Sequence, residues 1–274
     1  MVVYSHGFFA MNTRFAMVIP GMIRERGDEL AMDAAQIVEK WEKCLSRFIS
    51  GAELHVINAL GAERELKVSE AMNRVLDICD LYNRLTNGLF DPAVNQNRSA
   101  WKNVVRDKDK GTVFLAGPDV KLDMGGIGKG IALEDVVHQL RHEGVKDAFL
   151  SFGESSIAGM GKHPHGDGWL VGTPEGFLLQ DEFMSVSGLQ DQHKPMGEDS
   201  GAHIYHPIKG KLIKVKRRVM VKCASPVEAE VLSTCAYMAD EKEFELLKKQ
   251  FPDAEWKIRS HSDIGPGLLR ESPA

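Results

Sequence analysis

A glycine-rich stretch at residues 122–130 is the clearest candidate for ligand binding in this sequence. It reads LDMGGIGKG, follows a predicted strand and opens a predicted helix, a place where glycines let backbone approach a ligand and a helix N-terminus attracts phosphate. The P-loop pattern fails because the position six residues before Lys129 is Asp123 and the position after it is Gly130. The dinucleotide fingerprint fails at Ile131. A ligand-binding turn and a tight turn that only packs two elements therefore both stay open.

Glu230 and Thr234 form a second candidate site. Ser225, Pro226 and Glu228 have the pattern of a capping box with proline in the first turn, which predicts that a helix begins there. Residues four apart share one face of a helix. A carboxylate and a hydroxyl are hard oxygen ligands of the kind that Mg²⁺ prefers. The alternative is a solvated glutamate and a threonine that packs through its methyl group.

Histidines and one aspartate complete the reactive side chains. His203 and His206 lie in the segment GAHIYHP, where a neutral imidazole could act as a general base. Two histidines three apart could also bind a transition metal, but no third ligand nearby completes a zinc site. His163 and His165 are predicted to lie in a polar surface loop. The segment GLFDP follows a helix and predicts a turn that exposes Asp91.

The elements that must position these groups are helices separated by groups of short strands, which predicts an α+β fold. Apolar periodicity and end signals predict helices at residues 28–48, 69–87, 129–142, 225 onward and 241–251. Strands are predicted at residues 13–19, 112–115, 120–123, 148–152, 156–160, 169–172 and 212–223. The first helix has an apolar face formed by Leu30, Ile37, Trp41, Leu45 and Phe48.

Composition narrows the class of protein. The 274 residues are 43% hydrophobic, with a net charge of −5 and no polybasic tract, so composition gives no case for binding nucleic acid or an anionic membrane. The basic run KGKLIKVKRR at residues 209–218 predicts the solvated face of a strand. No segment approaches the roughly 18 apolar residues of a membrane helix, and the N-terminus lacks an export pattern. We therefore expect a soluble cytoplasmic protein. Cysteines without CxxC spacing indicate reduced core thiols: Cys44, Cys79, Cys223 and Cys235.

Taken in order, these motifs resemble the ApbE family of FAD:protein FMN transferases from about residue 10 to residue 250. The matching segments are MNT at 11–13, LSRF at 45–48, AEL at 52–54 with Asn58, GLFDP at 88–92, LDMGGIGKG at 122–130, Ser187-Gly188, His203-Ile204 with Pro207, and Glu230 with Thr234. Several positions depart from the family pattern: Asn12 and Glu154 replace Gly, Leu189-Gln190 replace Asp-Tyr, and His206 and Glu230 replace Asp.

The resemblance implies a T-fold-like α+β architecture of helices and antiparallel sheet, with FAD in a cleft and Mg²⁺ beside its pyrophosphate. The implied FAD contacts are Met11, Phe48, Leu89, Phe90, Asp91, Asp123, Lys129 and Ile204. The implied metal ligands are the side chains of Glu230 and Thr234 and the backbone carbonyl of Gly126. The implied base is His203, acting on a threonine of an acceptor protein.

The resulting hypothesis is a Mg²⁺-dependent transferase that moves FMN from FAD to a threonine hydroxyl and releases AMP. FAD hydrolysis with water as acceptor is one alternative, and a non-catalytic FAD-binding protein is another. We expect one domain over residues 1–256 and a loosely held tail over residues 257–274. The expected partners are FAD and an acceptor flavoprotein, with no nucleic acid and no membrane span.

Overall fold

The computed structural model describes residues 2–95, 98–172, 176–188, 205–213 and 217–260. The helices in these ranges are α1 (Arg24–Leu45), α2 (Glu53–Leu60), α3 (Glu70–Leu85), α4 (Gly128–His142), α5 (Pro226–Met238) and α6 (Glu241–Gln250). A short 3₁₀ helix spans Trp101–Asn103. The strands are β1 (Val3–Ala10), β2 (Thr13–Pro20), β3 (Leu66–Lys67), β4 (Ala93–Asn95), β5 (Arg98–Ser99), β6 (Val104–Asp107), β7 (Thr112–Leu115), β8 (Lys121–Leu122), β9 (Ala148–Phe152), β10 (Ser156–Met160), β11 (Trp169–Val171), β12 (Phe177–Leu179), β13 (Glu182–Gly188), β14 (Tyr205–His206), β15 (Lys211–Leu212), β16 (Arg217–Cys223) and β17 (Glu255–Ser260).

One antiparallel sheet organises the molecule, with seven strands in the order β1-β2-β9-β10-β13-β16-β17. In β2, Phe15, Met17 and Ile19 are buried and alternate with less buried neighbours, as expected for a strand covered on one face. The central strand β10 is buried along its whole length. Its second face is covered because Trp169 and Phe177, from the β11–β12 hairpin, belong to a second, smaller apolar cluster.

The helical layer covers the other face of this sheet and has α5 at its centre. α5 packs against β13, β16 and α4, and α4 packs in turn against α1. Nearly every residue of α5 is buried. The helix begins where the sequence predicts, because the Ser225 hydroxyl accepts the Glu228 N–H. The Glu228 carboxylate accepts from the Tyr82 hydroxyl at 3.4 Å, whereas a capping box with both hydrogen bonds occurs at the start of α6, between Asp240 and Glu243.

The predicted α+β class is confirmed, while several elements differ from expectation. α1 ends at Leu45, so Phe48 lies outside the helix and its side chain is 79% exposed instead of extending the buried face. The helix α2 and the strands β1 and β17 were not predicted, and the strand expected over residues 212–223 begins at Arg217 within the described residues. β17 pairs with β16 as far as Ser260, and the domain boundary expected after residue 256 stays a prediction. Residues 261–274 lie outside the described part of the chain.

The cysteines are reduced core residues, as the sequence predicts. All four cysteines are buried and free, as predicted. Burial raises the pKa of the Cys44 thiol to about 12, with a smaller contribution from the nearby Glu53 carboxylate. Among the described residues, none of the helices has the length and apolar character needed to cross a membrane.

Candidate functional site

The glycine-rich segment forms the turn that links β8 to α4. The side-chain amide of Asn58 clamps its start, since Nδ2 donates to the Leu122 carbonyl at 2.8 Å and Oδ1 accepts the Leu122 N–H at 2.7 Å. The Gly125 N–H donates to Oδ1 of Asp123 at 2.9 Å. The turn is thus held in place by side chains, while Gly125 itself stays exposed at the approach to the helix N-terminus.

Gly130 brings the first turn of α4 against the start of α5. A Cβ at this position would lie 2.8 Å from the Pro226 carbonyl oxygen and 3.0 Å from the Val227 Cα. Neither backbone atom can move without shifting α5, so the approach requires glycine. The packing interpretation of the glycine-rich segment therefore holds at Gly130, and the same packing places Glu230 beside the turn.

Glu230 is buried at this junction, with 3% of its surface exposed, and its carboxylate is surrounded by donors. Oε2 accepts the Gly130 N–H at 2.9 Å. Oε1 accepts the Ser156 hydroxyl from β10 and lies 3.1 Å from Nζ of Lys129. A carboxylate this deeply buried is stable only when it is paired and hydrogen-bonded, and all three partners supply that. The alternative of a solvated glutamate is therefore wrong.

Hydroxyl groups continue the polar cluster along α5. Oγ of Ser233 lies 3.0 Å from Oγ of Ser185 and 2.9 Å from Oγ of Ser187. Oγ of Ser187 lies 3.3 Å from Oγ1 of Thr234. Thr234 therefore uses its hydroxyl, which does not fit a threonine that packs only through its methyl group. Ser156 and Ser185 were missed because serines in short strands carry no local signal, whereas Ser187 was noted only as part of the matching segment Ser187-Gly188.

The donor set around Glu230 fits a divalent cation of the magnesium type. Glu230 and Thr234 lie one turn apart on α5, and the Gly130 amide that contacts Glu230 follows the glycine turn that contains Gly126. Carboxylate, hydroxyl and carbonyl oxygens are the ligands that Mg²⁺ takes. The Lys129 ammonium already lies against the carboxylate, which marks it as a cation-binding group.

This cation site would depend on a single carboxylate. Among the described residues, no group of three or more His, Cys, Asp and Glu side chains is arranged to hold a metal ion. A magnesium ion with so few protein ligands keeps several waters or takes substrate phosphate oxygens, as it commonly does in nucleotide sites.

Met11 and Phe90, two of the predicted flavin contacts, border the glycine turn. A Cβ on Gly128 would lie 3.5 Å from Cε of Met11, and one on Gly126 would lie 3.6 Å from Cε2 of Phe90. Met11 and Asn12 form the two-residue turn between β1 and β2 with φ angles of 50° and 60°. Both angles lie in the left-handed region that such hairpins require and that asparagine tolerates better than other side chains.

Phe48 and Asp123 are connected through Arg47, which the sequence did not single out. The Arg47 guanidinium carbon lies 4.5 Å from the centre of the Phe48 ring. Its Nε lies 3.3 Å from Oδ2 of Asp123. The exposed ring is thus already covered on one side by a cation, and only its other face is open to stack on a flavin or adenine ring.

Leu89 and Asp91 have structural roles that differ from the expected exposed turn. Leu89 is buried and lines a small apolar cavity beside α6. The Asp91 carboxylate accepts hydrogen bonds from the Ala93, Ala100 and Trp101 amides and from the Ser99 hydroxyl. The expectation that the turn exposes Asp91 is wrong, because this side chain organises the segment that follows it.

The predicted base His203 and the predicted FAD contact Ile204 lie outside the described residues, and so do Leu189 and Gln190.

His206 lies within the described residues and is fully buried. Its Nδ1 accepts the Lys209 N–H at 3.2 Å and its Nε2 lies 3.2 Å from the Glu243 carboxylate, so Nε2 carries the donated proton. Both nitrogens are occupied, which leaves His206 no free atom for base catalysis.

The basic run at residues 209–218 is not one solvated face. Lys209 donates to Asp240 at 2.9 Å and to Glu243 at 2.8 Å. The guanidinium of Arg217 donates to the carbonyls of Ala236, Tyr237 and Ala239 at the end of α5, where a cation complements the helix dipole. Burial lowers the pKa of Arg217. Residues 214–216 lie outside the described part of the chain.

The Asp240 cluster gives a prediction for acid stability. Hydrogen bonds from Lys209 and from the Glu243 amide lower the pKa of Asp240 from 3.8 to about 2. A carboxylate with a lowered folded-state pKa stabilises the fold above its ordinary pKa and loses that contribution as the pH falls through the lowered value. We expect the stability advantage of wild type over Asp240→Asn to be complete at pH 5, to shrink below pH 4 and to be mostly lost at pH 2. Melting temperatures measured across this range check it, and a constant difference between the two proteins would contradict it.

Comparison with known proteins matches most of the chain to one family. The sequence model described as the ApbE family matches residues 11–256. A relative from Chlamydia trachomatis named FAD:protein FMN transferase is 24% identical over 219 residues, covering 67% of this chain and 69% of the relative. One of the same name from Chlamydia muridarum is 22% identical, covering 64% of this chain and 63% of the relative.

Solved structures show the same fold. The apo form of the Pseudomonas stutzeri flavinyl transferase ApbE superimposes with a TM-score of 0.80 at 17% identity, over 95% of this chain and 93% of that one. The ApbE protein of Thermotoga maritima superimposes with a TM-score of 0.78 at 20% identity, over 96% of both chains. At these identities the agreement concerns the fold, and it matches the predicted architecture of helices and antiparallel sheet.

Proposed function

The chain belongs to the ApbE family, and from this premise we propose that it is an enzyme, an FAD:protein FMN transferase. The observation that carries the proposal is the junction at Gly130, where the glycine turn, Lys129 and Glu230 meet beside Met11 and Phe90. Such a junction offers a cation, a helix N-terminus and apolar side chains within one region, which suits a flavin dinucleotide with its pyrophosphate. The proposed catalytic unit is one domain that includes residues 11–256.

The proposed reaction transfers the FMN group of FAD: one phosphorus–oxygen bond forms to the acceptor and one breaks to AMP. A threonine hydroxyl of the acceptor attacks the phosphorus on the FMN side of the pyrophosphate, the bond to AMP breaks, and AMP leaves with the bonding electrons. His203 takes the hydroxyl proton. Catalysis of this kind consists mostly of positioning and charge stabilisation.

The chain's own residues have separate tasks in this proposal. Lys129 holds phosphate oxygens, and Phe48 offers one open ring face for stacking. Asp123 keeps the turn in shape through the Gly125 amide. Glu230, Thr234 and the Gly126 carbonyl would hold Mg²⁺, which when bound would neutralise charge on the pyrophosphate.

A transfer assay tests this function directly. The protein is incubated with FAD and Mg²⁺, with and without candidate acceptors, while AMP is measured by chromatography and the acceptor by mass spectrometry. We expect AMP to appear together with a gain of one FMN on the acceptor. AMP without any acceptor modification would instead identify an FAD pyrophosphatase. FAD binding without AMP in any mixture would identify a flavin-binding protein.

A further inference from the structure

Lys129 and Glu230 form an ion pair, although the proposed function needs Lys129 at a phosphate and Glu230 at a metal ion. Nζ of Lys129 lies 3.1 Å from Oε1 of Glu230, and their side chains are 24% and 4% exposed. The Ser156 hydroxyl and the Gly130 amide contact the same carboxylate. In this arrangement the ammonium is committed to the carboxylate, although the proposed function needs it at a phosphate.

A divalent cation at Glu230 cannot share Oε1 with that ammonium. Both charges are positive and this site is mostly withdrawn from water, so their repulsion is only weakly screened. The two remaining donors differ, because the Ser156 hydroxyl and the Gly130 amide are neutral and do not repel a metal ion. Of the three partners of Glu230, Lys129 is therefore the one that a cation must displace.

Displacement releases Lys129 without breaking the turn. Lys129 is in the first turn of α4, and its flexible stem lets the ammonium move while the backbone stays fixed by Gly130. The released ammonium lies at the N-terminal end of α4, where the helix dipole favours an anion.

We propose that Lys129 is an internal competitor of the metal ion for Glu230, so that cation binding hands the ammonium over to the phosphates of FAD. The inference rests on the proposed FAD and cation site. It couples the two ligands, since whatever removes Lys129 from Glu230 strengthens the site for phosphate, and by thermodynamic reciprocity FAD strengthens the site for the cation. Lys129 is then a ligand of Glu230 without the cation and a phosphate ligand with it.

The first test measures cation binding in the protein without FAD. Mn²⁺, followed by electron paramagnetic resonance, serves as the probe for Mg²⁺. We expect Lys129→Met to bind Mn²⁺ about tenfold more tightly than wild type, in the range typical of coupled sites, because the competing charge is gone. Lys129→Arg keeps the charge and should stay near wild type. Lys146→Met is the matched control, because it removes the same charge from an exposed position beyond the far end of α4, which is about 22 Å long.

The second test measures FAD affinity by flavin fluorescence in EDTA and in Mg²⁺. In EDTA, Glu230→Gln frees Lys129 and should bind FAD several-fold more tightly than wild type. In Mg²⁺ the order should reverse, because the variant cannot bind the cation. Thermal unfolding verifies that each variant is folded.

The outcomes separate the inference from the proposed function. Equal or weaker Mn²⁺ binding by Lys129→Met, or no Mn²⁺ binding by any variant, would overturn the competition. A failed transfer assay together with tighter Mn²⁺ binding by Lys129→Met would remove the enzyme and keep the coupled site. Normal transfer with Mn²⁺ binding unchanged in Lys129→Met would keep the enzyme and remove the coupled site.

Discussion

Replacing His203 by alanine is expected to slow flavin transfer by about 10²–10⁴-fold, the usual contribution of a general base, while FAD remains bound. In the proposed mechanism His203 removes the proton of the acceptor hydroxyl, whereas the proposed FAD-phosphate contacts are other groups. AMP release at saturating FAD and acceptor measures the rate, and flavin fluorescence measures binding.

The neighbouring histidine makes this prediction specific. His206 is buried with both ring nitrogens bonded, so His206→Asn should lower the melting temperature. The transfer rate of the folded variant should stay near that of wild type. His165→Ala, in an exposed loop, should change neither. If His203→Ala transfers FMN at the wild-type rate, the base is another group or water.

Replacing Gly130 by alanine is expected to destabilise the protein by about 1–3 kcal/mol, the range for overpacking a filled core. The added Cβ would meet the Pro226 carbonyl oxygen at 2.8 Å and the Val227 Cα at 3.0 Å. α5 must then move away from α4, which pulls Glu230 from the Gly130 amide. The free energy of unfolding in urea and the affinity for FAD should both fall.

Gly128 is the matched control, because it lies in the same helical turn with room for a methyl group. A Cβ there would contact Leu45 and Met11 at an ordinary 3.5 Å. Alanine is a better helix former than glycine by roughly 0.5–1 kcal/mol, so Gly128→Ala should leave stability unchanged or raise it. Equal unfolding free energies for the two variants would show that the close approach at Gly130 does not hold the helices together.

Local signals in the sequence were sufficient for the α+β class and for the start of α5. Ser225 with Pro226 predicts a helix start because a cap and a fixed φ act within a few residues of chain. The motif order also predicted the family, since the same residues recur at the same spacings over nearly the whole chain. The glycine turn was found for the same reason, as four glycines within six residues stand out in one local window.

The tertiary structure decided what each of these residues contacts. Glu230 and Ser156 are 74 positions apart in sequence, and their hydrogen bond exists because α5 packs against the sheet that contains β10. Phe48 fits the periodicity of α1 but lies beyond its end, because the helix stops at Leu45. The sequence predicts that Asp91 is an exposed turn residue, but in the fold its carboxylate accepts hydrogen bonds from the amides of Ala100 and Trp101.

The sequence by itself thus determined which chemical groups are present and which elements carry them, because caps, glycine turns and apolar periodicity act over a few neighbouring residues. Only the tertiary structure decided that Lys129, Gly130 and Ser156 converge on one carboxylate, and that His206 is withdrawn from chemistry by Glu243. Burial and ion pairing depend on groups that are far apart in the chain, so no local pattern contains them.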